Sequence, residues 1–243
     1  MAKIPKRPAE IFEEITDAYQ RIFGADLLSI ILFGSGAGED YLPGTSDINF
    51  LVTLTDPGIE RIEGALETVA RWRKRSVAVP LFMTLAHLAG SQDTYPIELL
   101  NMKRHYRVVF GRDVLAELAF DRPHIRLQLE RELRGKLLHL RSGYLETEGS
   151  AAKIRELITR SLTAFISLFC AILYLRGVEI PQGNRDIIRA AGEAFGIEHD
   201  VFLTCEEIRR KADHVGRSDI TAVFLAYLKE VVRLCDRVDR MEI

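Results

Sequence analysis

An apolar run, Leu27 to Phe33 (LLSIILF), stops at a glycine-rich loop, Gly34 to Ser46 (GSGAGEDYLPGTS), and a second apolar run, Ile48 to Leu54 (INFLVTL), follows at once. Runs this short, bounded by turn residues, read as buried strands. The loop carries four glycines and a proline, so it is turn chemistry and not a continuation of either strand. The two strands read as part of a small α/β domain, with helices beside them.

The flanking segments supply them. Ile11, Phe12, Ile15, Tyr19, Ile22 and Phe23 recur at helical spacing over residues 9–23, and Gly24 suits the stop. Asp56-Pro57 reads as a helix start, with Ile59, Ile62, Leu66, Val69 and Trp72 on one face behind it. Val77 to Met83 reads as a third strand, and Pro80 within it predicts an edge position. Ile97 to Met102 and Tyr106 to Phe110 read as further short strands ended by Gly111.

Strand-like runs cease after about residue 113. Helical patterns follow over 123–148, 151–176, 184–196, 199–213 and 217–240, so the expected class is α+β: a small mixed-sheet domain over 1–115, then an all-α helical bundle over 116–243. The longest uncharged run, Ser161 to Leu175, has 15 residues, short of the roughly 20 a spanning helix needs. It reads as a core helix, with Phe165, Phe169, Ile172 and Leu175 as its packed stripe, and no membrane is expected.

Charge narrows the partners. Lys and Arg total 33 against 35 Asp and Glu, a net charge of −2, which argues against nucleic acid as a partner. Arg71, Arg73, Lys74 and Arg75 around Trp72 fit a helix C-terminus. Arg126, Arg131, Arg134 and Lys136, interleaved with Glu130 and Glu132, fit a solvated face of i,i+4 pairs. Cys170, Cys205 and Cys235 are too few and too far apart for a disulfide framework, and a cytoplasmic location is the expectation.

The chemistry lies between Leu32 and Val52. Positions 47 and 49 share a face of the second strand, because the side-chain period is two. Two oxygen-bearing side chains there, beside a strand end followed by glycines, suit a hard cation and the phosphates it bridges. Gly34 and Gly36 allow close backbone approach, and the Ser35 hydroxyl adds a donor.

This stretch resembles the active-site signature of the nucleotidyltransferase superfamily with the DNA polymerase β fold: a strand ending in Gly-Ser, a spacer, Asp-x-Asp on the next strand, and a third carboxylate from a later strand. The resemblance spans residues 9–113 by fold order. It implies transfer of a nucleoside monophosphate from an NTP to an acceptor, with Mg²⁺ or Mn²⁺ as cofactor. Carried onto this chain, Gly34, Ser35, Gly36 and Ser46 hold the nucleotide, and Asp47 and Glu98 are catalytic. Asp47, Asn49 and Glu98 are the metal ligands, with Asp93 behind Glu98 as an alternative. The chain departs from the pattern at Asn49, where the signature has Asp. An amide brings no charge to offset the repulsion between two ions, so one ion in place of two, or a binding module without turnover, are the alternatives. Lys103, Arg104 and Arg107 are further candidates to face a triphosphate.

The helical half is similar to the bundles that follow small aminoglycoside-type nucleotidyltransferase domains. These supply part of an acceptor pocket and often a dimer surface, which leaves room for a homodimer here. They are related to HEPN domains, whose RNase members carry Arg, four to six residues, then His. Arg134 to His139 and Arg209 to His214 match that spacing by chance, since neither Arg is followed by the polar residue usual there, and no RNase role is assigned.

Overall fold

A computed structural model describes residues 3–38, 41–44, 46–210 and 219–242. The chain divides into two compact units, Met1–Phe120 and Asp121–Ile243.

In the first unit a short 3₁₀ turn leads into α1 (Phe12–Phe23), followed by β1 (Leu27–Phe33), β2 (Asn49–Leu54), a single turn α2 (Asp56–Ile59), α3 (Leu66–Arg73), β3 (Leu81–Thr84), α4 (Leu85–Gly90), α5 (Pro96–Arg104) and β4 (Tyr106–Gly111). The four strands form one mixed sheet in the order β3-β2-β1-β4. β1 is antiparallel to both neighbours, and β2 and β3 run parallel. Ile15, Tyr19 and Phe23 of α1 pack with Ile30 and Leu32 of β1, Phe50 and Val52 of β2, and Trp72 of α3.

Cross-strand partners share a face. Leu32 pairs with Phe50 and Arg107, and Leu32 and Phe50 lie in the α1-side core. Phe33 pairs with Asn49 and Tyr106, which therefore occupy the opposite face.

Three expected elements differ. The third strand begins at Leu81 and not at Val77: Val77 makes only an isolated parallel bridge with Ile48, and Pro80, which has no N–H to give a ladder, intervenes. β3 does take the edge that this proline predicted. The expected helix over 59–72 is broken into α2, a 3₁₀ turn at Ile62–Ala65, and α3, which leaves Leu66 71% exposed. Ile97 to Met102 is helix, not strand. Pro96 stands at its first turn, Glu98 in that same turn, and Lys103 and Arg104 in the last turn, which is the charge order a helix dipole favours.

The second unit holds α6 (Arg122–Glu146), α7 (Ala151–Arg176), α8 (Asn184–Phe195), α9 (His199–Arg209) and α10 (Ile220–Asp239). The expected helices over 199–213 and 217–240, and His214, extend into residues outside the described ones. α7 packs against α6, α8, α9 and α10. By length and composition α7 is apolar enough to cross a membrane, yet its Phe165, Phe169, Ile172 and Leu175 are buried within the bundle. Phe169 and Phe202 meet edge to face at 5.0 Å, and Phe202 and Tyr227 at 5.5 Å. Cys170, Cys205 and Cys235 are buried, and burial pushes the Cys205 thiol up to about 12.

The charged face of α6 forms as read, with Arg126 and Arg134 on Glu130 and Lys136 on Glu132. Glu206 of α9 is fully buried and accepts hydrogen bonds from Arg209 at 2.7 and 2.8 Å and from Arg210 at 2.9 Å. Burial by itself raises this carboxyl, and the two guanidiniums outweigh it, holding Glu206 below the usual carboxylate range.

Candidate functional site

β1 ends at Phe33, and Gly34–Ala37 continues as one 3₁₀ turn. Gly34 has φ +74°, a region that costs an L side chain about 1–2 kcal/mol, so glycine suits the strand-to-turn corner. Its N–H donates to the His105 carbonyl at 3.0 Å. Gly36 is buried: a Cβ there would lie 3.3 Å from Leu32 Cδ1 and 3.6 Å from Pro8 Cγ. The turn closes with Gly38 N–H donating to the Ser35 carbonyl at 3.2 Å, and Ser35 itself is exposed.

Ser46 closes its own turn. Its N–H donates to the Leu42 carbonyl at 2.8 Å, and its hydroxyl accepts from the Leu42 N–H at 3.1 Å. Ile48 then enters the α1-side core, tied to the Val77 segment by Ile48 N–H to Ser76 carbonyl at 2.9 Å and Ala78 N–H to Ile48 carbonyl at 3.0 Å. The residues on either side of Ile48 differ in exposure: Asp47 is exposed and Asn49 half-buried. Asn49 Nδ2 donates to the Asp47 carbonyl at 3.4 Å and lies 3.7 Å from where a Cβ on Gly34 would stand. Gly34, Asn49 and the Asp47 main chain are thus brought together at the open end of the β1–β2 pair.

The third expected carboxylate is placed differently. Glu98 sits exposed in the first turn of α5, on a helix and not at a strand start. Asp93 is exposed and accepts from the Thr94 hydroxyl at 3.0 Å. Neither later strand carries a carboxylate: β3 reads Leu-Phe-Met-Thr and β4 Tyr-Arg-Val-Val-Phe-Gly. Among the described residues, no group of three His, Cys, Asp or Glu is arranged to hold a metal ion.

The basic run at the α5–β4 junction separates by direction. Lys103 Nζ donates to the carbonyls of Ala116 and Leu118, both at 2.7 Å. Arg107 lies on the α1 side of the sheet, its guanidinium 5.2 Å from the Phe12 ring, and so faces away from Asn49. His105 reaches the loop at Gly34 and Gly38. Besides accepting from Gly34, it places Nδ1 4.0 Å from where a Cβ on Gly38 would be. Residue spacing alone does not find it, because its position follows from the pairing of Phe33 with Tyr106.

No family model matches the chain, and no curated protein matches it. Among solved structures, its fold is similar to that of a spectinomycin adenyltransferase from Enterococcus faecialis, determined with ATP and spectinomycin. The match covers 96% of this chain and 99% of that one, with a TM-score of 0.55 and 14% sequence identity.

Proposed function

From a chain that has the α+β fold of a nucleotidyltransferase followed by a helical bundle, we propose a protein that binds a nucleoside triphosphate at the Gly34–Ser35 loop and does not transfer its nucleotidyl group. The observation that carries this reading is the donor set. Among the described residues, Asp47 is the one carboxylate at the end of the β1–β2 pair, Asn49 is neutral, and β3 and β4 bring none. A pair of divalent ions a few ångströms apart needs several anionic ligands against its own repulsion, and these residues do not fit such a pair. The loop, by contrast, keeps what a polyphosphate needs: a glycine corner, an exposed Ser35 hydroxyl, and an amide N–H on Asn49.

A transferase is the second reading. The neighbour's adenyltransferase activity and the exposed Asp47 favour it, with Mg²⁺ on Asp47 and Asn49, and Glu98 as the remaining carboxylate.

Calorimetric titration with each of the four NTPs, in Mg²⁺ and in chelator, tests binding. Incubation with labelled NTP and candidate small-molecule acceptors tests transfer. The binding reading expects affinity for at least one NTP and no labelled product. Labelled product that Asp47→Ala abolishes would replace it with the transferase. A folded protein with no affinity for any NTP defeats both.

A further inference from the structure

We infer that residues 3–8 form a strap that holds the glycine-rich loop in its nucleotide-binding shape, with Tyr41 as its positioning residue, so that strap docking and nucleotide binding favour each other. The inference rests on the nucleotide-binding reading above. The strap is tied at both ends and in the middle. At its start, Arg75 Nε donates to the Lys3 carbonyl at 3.2 Å. Arg75 is itself held, by Glu14 at 2.7 Å and by the Trp72 ring, whose centroid lies 4.7 Å from the guanidinium carbon. In the middle, the Tyr41 hydroxyl donates to the Pro5 carbonyl at 3.0 Å. At its end, Pro8 stands against the Gly34–Ala37 turn, with Cγ 3.6 Å from where a Cβ on Gly36 would lie. Pro5 and Pro8 are buried, whereas Lys3, Ile4, Lys6 and Arg7 are exposed. The fixed φ of the two prolines limits the conformations lost when the strap docks. Its contacts meet the loop in two places, at Gly36 beside the Gly34–Ser35 corner and at Tyr41 farther towards Ser46. A docked strap fixes both places and an open one releases both. An exposed segment held by so few bonds opens at a small fraction of the cost of global unfolding. A polyphosphate on the corner therefore binds the docked state better, and by linkage it must stabilise docking by the same factor.

The experiment measures strap opening and ATP affinity separately. Opening is read by amide hydrogen exchange at Ile4, Lys6 and Arg7, with and without saturating ATP, and affinity by calorimetry. Native protein is compared with Tyr41→Phe and with the double variant Pro5→Gly, Pro8→Gly, and thermal melting controls for folding. ATP should slow strap exchange in the native protein about fivefold or more, and the double variant should lose ATP affinity by a similar factor. Tyr41→Phe, which removes only the hydroxyl, should speed unliganded strap exchange about fivefold. If the double variant melts early, Tyr41→Phe and the native exchange carry the comparison. Strap exchange that ATP leaves unchanged overturns the coupling while the nucleotide reading stands, and so does native ATP affinity in a folded double variant. Lys6→Gln with Arg7→Gln should leave ATP affinity native, because the strap acts through the loop. A loss there as large as in the double variant means that the strap binds the nucleotide itself, which overturns the coupling. A native protein that binds no nucleotide removes both readings.

Discussion

Asn49 lies over Gly34: its amide nitrogen is 3.7 Å from the point a Cβ on Gly34 would occupy. The residue that opens the β1–β2 loop and the residue that opens β2 therefore stand close enough that a side chain at position 34 would touch the Asn49 amide. That distance is ordinary van der Waals contact, so the cost of Gly34→Ala comes from its φ of +74°. The expected destabilisation is about 1–2 kcal/mol. Gly111→Ala should be worse, since it shares the φ of +74° and its Cβ would lie 2.0 Å from the Leu28 carbonyl oxygen, a backbone atom that cannot yield cheaply. A loss above ~2 kcal/mol is expected there. Urea unfolding of the two variants checks the order, and an equal loss would contradict it.

Asn49→Asp adds a second carboxylate beside Asp47. Its expected effect is tighter Mg²⁺-dependent NTP binding without labelled product, because β3 and β4 still bring no acid. Calorimetry at several Mg²⁺ concentrations reads the first part and a transfer assay the second. Product formation would mean that one charge is all the site lacks.

Glu206 should make the protein acid-sensitive. Its folded-state carboxyl is held below the ordinary range, so its contribution is fully present above the unfolded value of about 4.3 and is lost as pH falls through the lower folded value. Glu206→Gln should flatten the stability curve below about pH 4 and cost roughly 1–3 kcal/mol at neutral pH, since Arg209 and Arg210 remain partly exposed. Urea midpoints between pH 3 and 7 for the two proteins decide this.

Phe202→Ala should cost about 3–5 kcal/mol. Its ring is fully buried and meets those of Phe169 and Tyr227 edge to face. Thermal melting checks the figure, and a loss under ~1 kcal/mol would show that the bundle core closes around the gap.

What the sequence revealed of this site is what is local to it. Gly34, Ser35, Asp47 and Asn49 fall within one strand–loop–strand segment, where period-two alternation and turn chemistry act over a few residues. Helix α5 reads as a strand in the sequence because Ile97, Leu99, Leu100 and Met102 form a short apolar run that suits strand and buried helix alike, and the decisive cue for helix is Pro96 in its first turn. The place of His105 was out of reach of spacing, since it depends on which strand takes the free side of β1. Arg107 is a candidate in the sequence for the same reason in reverse: its charge is readable and its face of the sheet is not, until its pairing with Leu32 is known.

The pairing of Phe33 with Tyr106 also sets an order of assembly. β1 and β2 are near neighbours in the chain and close a short loop, whereas β4 arrives only after α2 to α5 have been traversed. Closing the longer loop carries the greater entropy cost, so this contact belongs to the late part of folding. The bond from Gly34 to His105 forms with it. A nascent chain ending before residue 105 would hold the Gly-Ser corner without its support, so the nucleotide capture we propose would report that the N-terminal unit has finished folding.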